Sequence, residues 1–245
     1  MRAEDVTAET VRPVRRAWLV QSWRDLAFLH WPLDPAVVAP LLPPGTEPDT
    51  LDGVTYGGLI GFRMTGLGPG RGPGIPYLGT FCETNVRLYS VDGQGRRGVV
   101  FRSLDASRLL PVLTARATLR LPYAWSRMRL TRDGDVVSYS SRRLWPGRAT
   151  GAFAIRAGAP IAEPTPLEHF LTARWGLHTW AWGRTLYLPN EHPRWPLHRA
   201  TLLSLDDALV PAAGLPASAG PPVSVLYSPG VPVTFGAPRV VRRDR

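Results

Sequence analysis

Lysine is absent from this 245-residue chain, and cysteine is represented only by Cys82. Without lysine no side-chain amine can condense with a carbonyl, so chemistry through a lysine Schiff base is excluded. The lone Cys82 cannot close an internal disulfide, which fits a reducing compartment and an expected cytoplasmic location. No apolar run approaches the roughly 18 residues that a membrane helix needs, so no membrane span is expected. Met1 to Thr10 carry Glu4, Asp5 and Glu9 and no apolar block. That reads as neither a secretory signal nor a transit peptide.

The formal charge is +10, and all 29 basic residues are arginine, spread along the whole chain. No zinc-finger spacing, helix-turn-helix pattern or aromatic RNA-binding signature accompanies them, which argues against nucleic acid. Abundant Gly, Pro, Ala and Arg without Lys has the look of GC-rich coding bias. The densest basic segment is Arg239, Arg242, Arg243 and Arg245, a solvated tail. The division expected is a flexible segment over 1–15, one domain over 16–237 and the basic tail over 238–245.

Turn punctuation is frequent, with 24 Gly and 26 Pro, and the segments between turns are short. Asp34-Pro35 starts a helix over Ala36 to Leu42, stopped by Pro43-Pro44-Gly45. Strands are expected at Val54 to Met64, Gly79 to Val91 and Arg97 to Leu104, the last two joined by the Asp92-Gly93-Gln94-Gly95 turn. A second helix is read around Ser107 to Arg116, with Pro111 in its first turns. Trp125 to Leu144 reads as a hairpin about Asp133-Gly134, and Pro166 to Arg174 as a helix capped by Thr165. Leu177 to Leu188 reads as one strand. Consecutive hairpins and few helices predict a mainly antiparallel α+β domain.

Strand alternation over Phe81 to Tyr89 sets Glu83, Asn85 and Arg87 on one face and Cys82, Thr84 and Val86 on the other. If residues 92–95 form the loop, Asn85 faces Arg102, which would join Glu83 and Arg87 among large apolar neighbours. This is either a pocket wall or a salt-bridged outer face; a loop of another length would exchange the faces. His178, Trp180 and Trp182 share a face, which most often means sheet packing. The five histidines and Cys82 show no metal-ligand spacing, so neither metal nor cofactor is expected. No Gly-x-Ser-x-Gly elbow is present, and Cys82 alternates onto the apolar face as an inert thiol.

An ordered set of segments resembles the YqjF-like family, a branch of the acetoacetate decarboxylase-like superfamily. The set includes Leu29-His30-Trp31-Pro32-Leu33-Asp34-Pro35, Glu83-Thr84-Asn85-Val86-Arg87-Leu88-Tyr89, Phe101-Arg102-Ser103-Leu104-Asp105, Leu121-Pro122-Tyr123, Leu167 to Arg174, and His192-Pro193-Arg194-Trp195-Pro196-Leu197. The resemblance runs over about residues 20–235. It implies a curved sheet forming a cone or partial barrel around a cavity, with a few outer helices, and it implies that Glu83 matches a cavity glutamate. The superfamily's lysine would fall just after Phe101 to Asp105, where Ser103, Asp105, Ser107 and Arg108 stand. Arginine stays protonated and cannot replace it.

The expectation is therefore a cavity that binds a small anionic or carbonyl-bearing molecule through Glu83, Asn85, Arg87, Arg102, Ser103 and Asp105, without Schiff-base decarboxylation. An enzyme using Glu83 or Asp105 as general acid–base is the first competitor. A structural or partner-binding protein with a filled, vestigial cavity is the second. A homo-oligomer stays open.

Overall fold

Short-range signals account for most element boundaries in the computed structural model, which describes residues 3–217 and 220–242. Asp34 accepts from the Ala36 amide at 2.8 Å, Pro35 opens helix α1 (Pro35–Val38), and a single 3-10 turn continues it to Leu41. Helix α2 (Leu109–Leu119) holds Pro111 in its first turn, where the missing N–H has no intrahelical partner to lose. Helix α3 (Pro166–Thr172) begins with a complete capping box between Thr165 and Glu168. A fourth helix, α4 (Leu209–Ala212), is held at its start by Asp207, which accepts from the amides of Leu209 and Val210.

The described residues form one 13-stranded, mostly antiparallel sheet. Its strands are β1 (Leu19–Leu33), β2 (Thr46–Pro48), β3 (Thr55–Pro69), β4 (Phe81–Asp92), β5 (Arg97–Ala106), β6 (Tyr123–Asp133), β7 (Val136–Trp145), β8 (Thr150–Pro160), β9 (Gly176–Ala181), β10 (Arg184–Glu191), β11 (His198–Asp207), β12 (Ser224–Phe235) and β13 (Arg239–Val240). The expected Asp133-Gly134 hairpin joins β6 and β7. The single strand expected over Leu177 to Leu188 is instead a hairpin of β9 and β10. It turns at Trp182-Gly183, where both residues have positive φ (56° and 75°). A Trp-Gly pair carries no Asn-Gly-type signal, so the turn is invisible to local pattern.

The sheet closes on itself twice. One ring runs β5-β6-β7-β8-β11-β12-β1-β3-β4 and back to β5; the other runs β5-β9-β10-β12-β1-β3-β4. Strands β1, β3, β4, β5 and β12 belong to both and act as a partition. The first ring is packed solid with Leu29, Leu59, Val86, Leu88, Tyr139, Phe153 and Ile155 among others. The second encloses a cavity, with α2 along one side. Alternation along β4 therefore separates packed core from cavity wall, and none of its residues is exposed.

Gly61 on β3 shows how tightly the first ring is filled. A Cβ there would lie 2.6 Å from Tyr139 and 2.8 Å from Phe153, two rings stacked at 4.6 Å. Gly61→Ala is expected to cost ~1–3 kcal/mol by overpacking, measured as a lower midpoint in urea.

The segment expected to be flexible, 1–15, lies along the domain over its described part. Val14 donates its amide to Glu191 at 2.7 Å, and Glu4 accepts from the Arg97 amide at 2.9 Å and pairs with Arg12. In the basic tail, Arg239 and Val240 pair with β10, while Arg243 and Arg245 fall outside the described residues. No helix among the described residues is long and apolar enough to cross a membrane.

Candidate ligand cavity

The β4–β5 hairpin sets the cavity wall. Phe81, Glu83, Asn85 and Arg87 point from β4 into the second ring, and Val99, Phe101 and Leu104 join them from β5. The pairing differs from the expected one: Asn85 faces Leu104, not Arg102. Asp92 closes a longer loop by accepting from the amides of Gln94 (2.9 Å) and Arg96 (3.1 Å), and a bulge between Val86 and Arg87 shifts the register again. The extra residue opposite the bulge is Arg102, which turns away from the cavity and donates to the carbonyls of Leu41 (3.1 Å) and Ala213 (3.3 Å).

Ser103 and Asp105 also lie off the cavity wall. Ser103 is buried opposite Val86. Asp105, fully buried, takes two hydrogen bonds from Arg143 (3.0 and 2.7 Å) and one from Ser126 (2.6 Å). Three of the six expected residues thus share the cavity, and three belong to the packed side. Cys82, also facing the packed side, is half-buried, and burial pushes its thiol above the usual range.

The cavity holds about 430 Å³ and is walled mainly by aromatic and aliphatic side chains, including Trp23, Phe28, Phe62, Phe101 and Trp195. Glu83 is 3% exposed, and burial raises its carboxyl to about 7. Hydrogen bonds from Tyr123, whose hydroxyl sits 2.9 Å from Oε2, and from Asn85 oppose that rise; the charge of Asp105 adds to it. Four residues further along β4, Arg87 donates to Tyr89 Oη (3.2 Å) and to the Leu171 carbonyl (2.9 Å). Among the described residues no carboxylate pairs with it.

Arg174, also on the wall, pairs with Asp49, which it shares with Arg97. Tyr89 donates to the Leu171 carbonyl at 2.9 Å, so its oxygen accepts from Arg87 and from His30 Nε2 (2.7 Å). Burial first, then Arg87 and Arg174, hold His30 neutral, well below the usual histidine range.

Periodicity alone missed Tyr123, Arg174, Asn190 and His192, all on the wall. Burial lowers His192 to about 4, and its ring lies between Trp175 and Trp195 at 4.5 and 4.7 Å. Tyr123, Arg174 and His192 sit in segments that carry the family resemblance, which was the available signal.

A second polar constellation lies outside the cavity. His178 joins Ser90 Oγ (Nδ1, 2.8 Å) and Asp92 (Nε2, 3.2 Å), a serine–histidine–aspartate series. All three side chains are at most 4% exposed and none lines the cavity, so the series has no substrate access and acts as a buried cross-link. No group of three or more His, Cys, Asp and Glu among the described residues is disposed to hold a metal.

The double-ringed fold is similar to solved structures of acetoacetate decarboxylase-like proteins. The chain superposes on the enduracididine biosynthesis enzyme MppR complexed with pyruvate (TM-score 0.62, 14% identity, 96% of this chain and 93% of that one). It also superposes on an acetoacetate decarboxylase-like enzyme from Sphingomonas wittichii RW1 (TM-score 0.62, 13% identity, 93% and 94%). Acetoacetate decarboxylase from Legionella pneumophila matches with a TM-score of 0.57 at 16% identity, over 99% of this chain and 92% of that one.

Within this fold the chain belongs to the DUF2071 family, described as an uncharacterized conserved protein, which it matches over residues 20–232. It is 36% identical over 186 residues to the uncharacterized protein YqjF of Bacillus subtilis (strain 168), 75% of this chain and 76% of that protein.

Proposed function

We propose that this protein binds a small organic carboxylate in the second-ring cavity, in the cytoplasm, without forming a Schiff base. One observation carries the reading: Arg87, a guanidinium without a carboxylate partner among the described residues, faces an apolar cavity of about 430 Å³. A cation held against Phe28 and Tyr89, at 5.6 and 5.5 Å from their ring centres, gains from an anion that shares its low-dielectric surroundings. Asn85 orients the ligand, and Glu83 faces whatever carbonyl or hydroxyl lies one pleat nearer the mouth. That the MppR structure is a complex with pyruvate supports an acid or carbonyl compound as the ligand class.

A panel of 2-oxo and 3-oxo acids with their neutral amides, read by thermal shift, tests the reading. Acids should raise the melting temperature and amides should not. Arg87→Gln should weaken the best acid ~10- to 100-fold, the worth of a charged hydrogen bond. Equal shifts for acid and amide, or an unaffected Arg87→Gln variant, would overturn it.

A catalytic version of the same site draws support from Glu83. A carboxyl near 7 is half ionised at neutral pH and suits proton exchange with an enolisable carbonyl. Asp105, the other acid–base candidate, is sealed in its pair with Arg143 on the packed side, out of reach of a cavity ligand. The open cavity volume argues against the vestigial, side-chain-filled alternative.

A further inference from the structure

We infer that the ligand is an amphipathic monocarboxylate of about ten to twelve carbons, its charged end at Arg87 and its chain running out past α2; this rests on the carboxylate reading above. Size sets the first limit. At about 30 Å³ per non-hydrogen atom at liquid density, the cavity of about 430 Å³ takes about 14 such atoms, which is dodecanoate. Pyruvate, with six, would leave most of the aromatic walls against water.

Charge sets the second limit. Arg174 pairs with Asp49, a carboxylate it shares with Arg97, so Arg87 is the wall guanidinium left without any carboxylate among the described residues, enough for one carboxylate. Glu83, four residues along β4, is itself an acid and offers no cation for a second carboxylate further along the ligand.

The order of groups along the wall gives the direction. From Arg87, β4 presents Asn85, Glu83 and then Phe81, which pairs with Met64 on β3 beside the loop that carries Ile75; this is a path of roughly 20 Å at ~3.3 Å per residue. Along β4 the polar groups end at Glu83, while Gln21, Asn190 and His192 line the wall from other strands and loops. The lining also takes in Trp18, Ile75 and Leu110, which are 36%, 45% and 53% exposed and form an apolar part of the rim. An apolar rim beside a mostly apolar shaft is what a chain longer than the shaft would cover, and a short polar acid gives it no occupant.

Straight-chain alkanoates from butanoate to tetradecanoate, held below their micellar concentrations, are titrated into the full chain, with 1-dodecanol as the uncharged control. Tryptophan fluorescence and calorimetry report binding. Affinity should rise about fourfold per methylene and level off near dodecanoate. The alcohol should bind at least tenfold more weakly than the acid, and Arg87→Gln should abolish that difference. The rim variant Ile75→Asp/Leu110→Asp, at two exposed positions, should lose most of the gain beyond octanoate and keep hexanoate within about twofold.

Affinity that is flat with chain length, while short acids still bind through Arg87, overturns this inference and leaves the carboxylate site standing. A chain-length gain untouched by the rim variant overturns the exit route. Failure of every acid, short or long, overturns both this inference and the carboxylate reading.

Discussion

Glu83→Gln should make the protein's stability markedly less sensitive to alkali. The carboxyl sits at about 7 in the fold against an ordinary 4.5, so the native state holds its proton more tightly than the unfolded chain does. Stability from this group is complete below the unfolded value. It is lost as pH rises, until both states are ionised above about 7. Glutamine keeps an acceptor for Tyr123 and removes the titration. Between pH 5 and pH 8.5 the difference in unfolding free energy between variant and wild type should move by ~2.5 kcal/mol in the variant's favour.

Comparing the two proteins at each pH cancels the buried histidines. His178 and His192 are both held below the usual range, so they withdraw stability in the opposite direction as pH falls. Urea titrations at the two pH values provide the measurement. A difference that stays constant would show that Glu83 ionises normally, and the catalytic version of the site would lose its basis.

The largest stability effect is expected on the packed side. Arg143→Leu removes both hydrogen bonds that this guanidinium gives to Asp105, and leaves a fully buried carboxylate with Ser126 as its remaining side-chain donor among the described residues. Stranding one member of a buried ion pair costs ~3–5 kcal/mol, a third or more of the stability of an ordinary domain. Soluble yield should fall accordingly. Because the loss comes from an uncompensated charge more than from a missing attraction, Arg143→Leu/Asp105→Asn should recover most of it. A single variant within 1 kcal/mol of wild type, or a double variant no better than the single, would contradict this account of the pair.

The local chemistry of the chain was legible where one residue type answers one geometric demand. Asp34-Pro35, the Thr165–Glu168 capping box and Asp133-Gly134 each act within four residues, and each element stands where its signal placed it. Glu83, Asn85 and Arg87 were grouped correctly by alternation, because period two needs no knowledge of the rest of the sheet. Arg102 was not, since its bulge is held by carbonyls of residues 41 and 213, which lie far along the chain in either direction. The same distance hid Arg174, Asn190 and His192. Each sits on its own element with its own alternation, and which faces converge depends on ring closure between β10 and β12 and between β5 and β9. The choice between pocket wall and outer face was open in the sequence for a related reason. Both faces of a partition strand are buried, so polarity alone could not say which one enclosed space.

Two rings that share strands cannot come apart separately. Hydrogen-bonded ladders of β1, β3, β4 and β5 are held from one side by packed core and from the other by cavity wall, so breaching the cavity through them would dissolve the solid ring as well. A molecule entering or leaving therefore has one inexpensive route, along the unshared boundary where α2 lies against the loop after β3. If the cavity takes a ligand as proposed, breathing of that boundary would set the rate of exchange, while the partition sets the lifetime of the fold. The chain thereby keeps gatekeeping and endurance on different residues, and either can drift in evolution without disturbing the other.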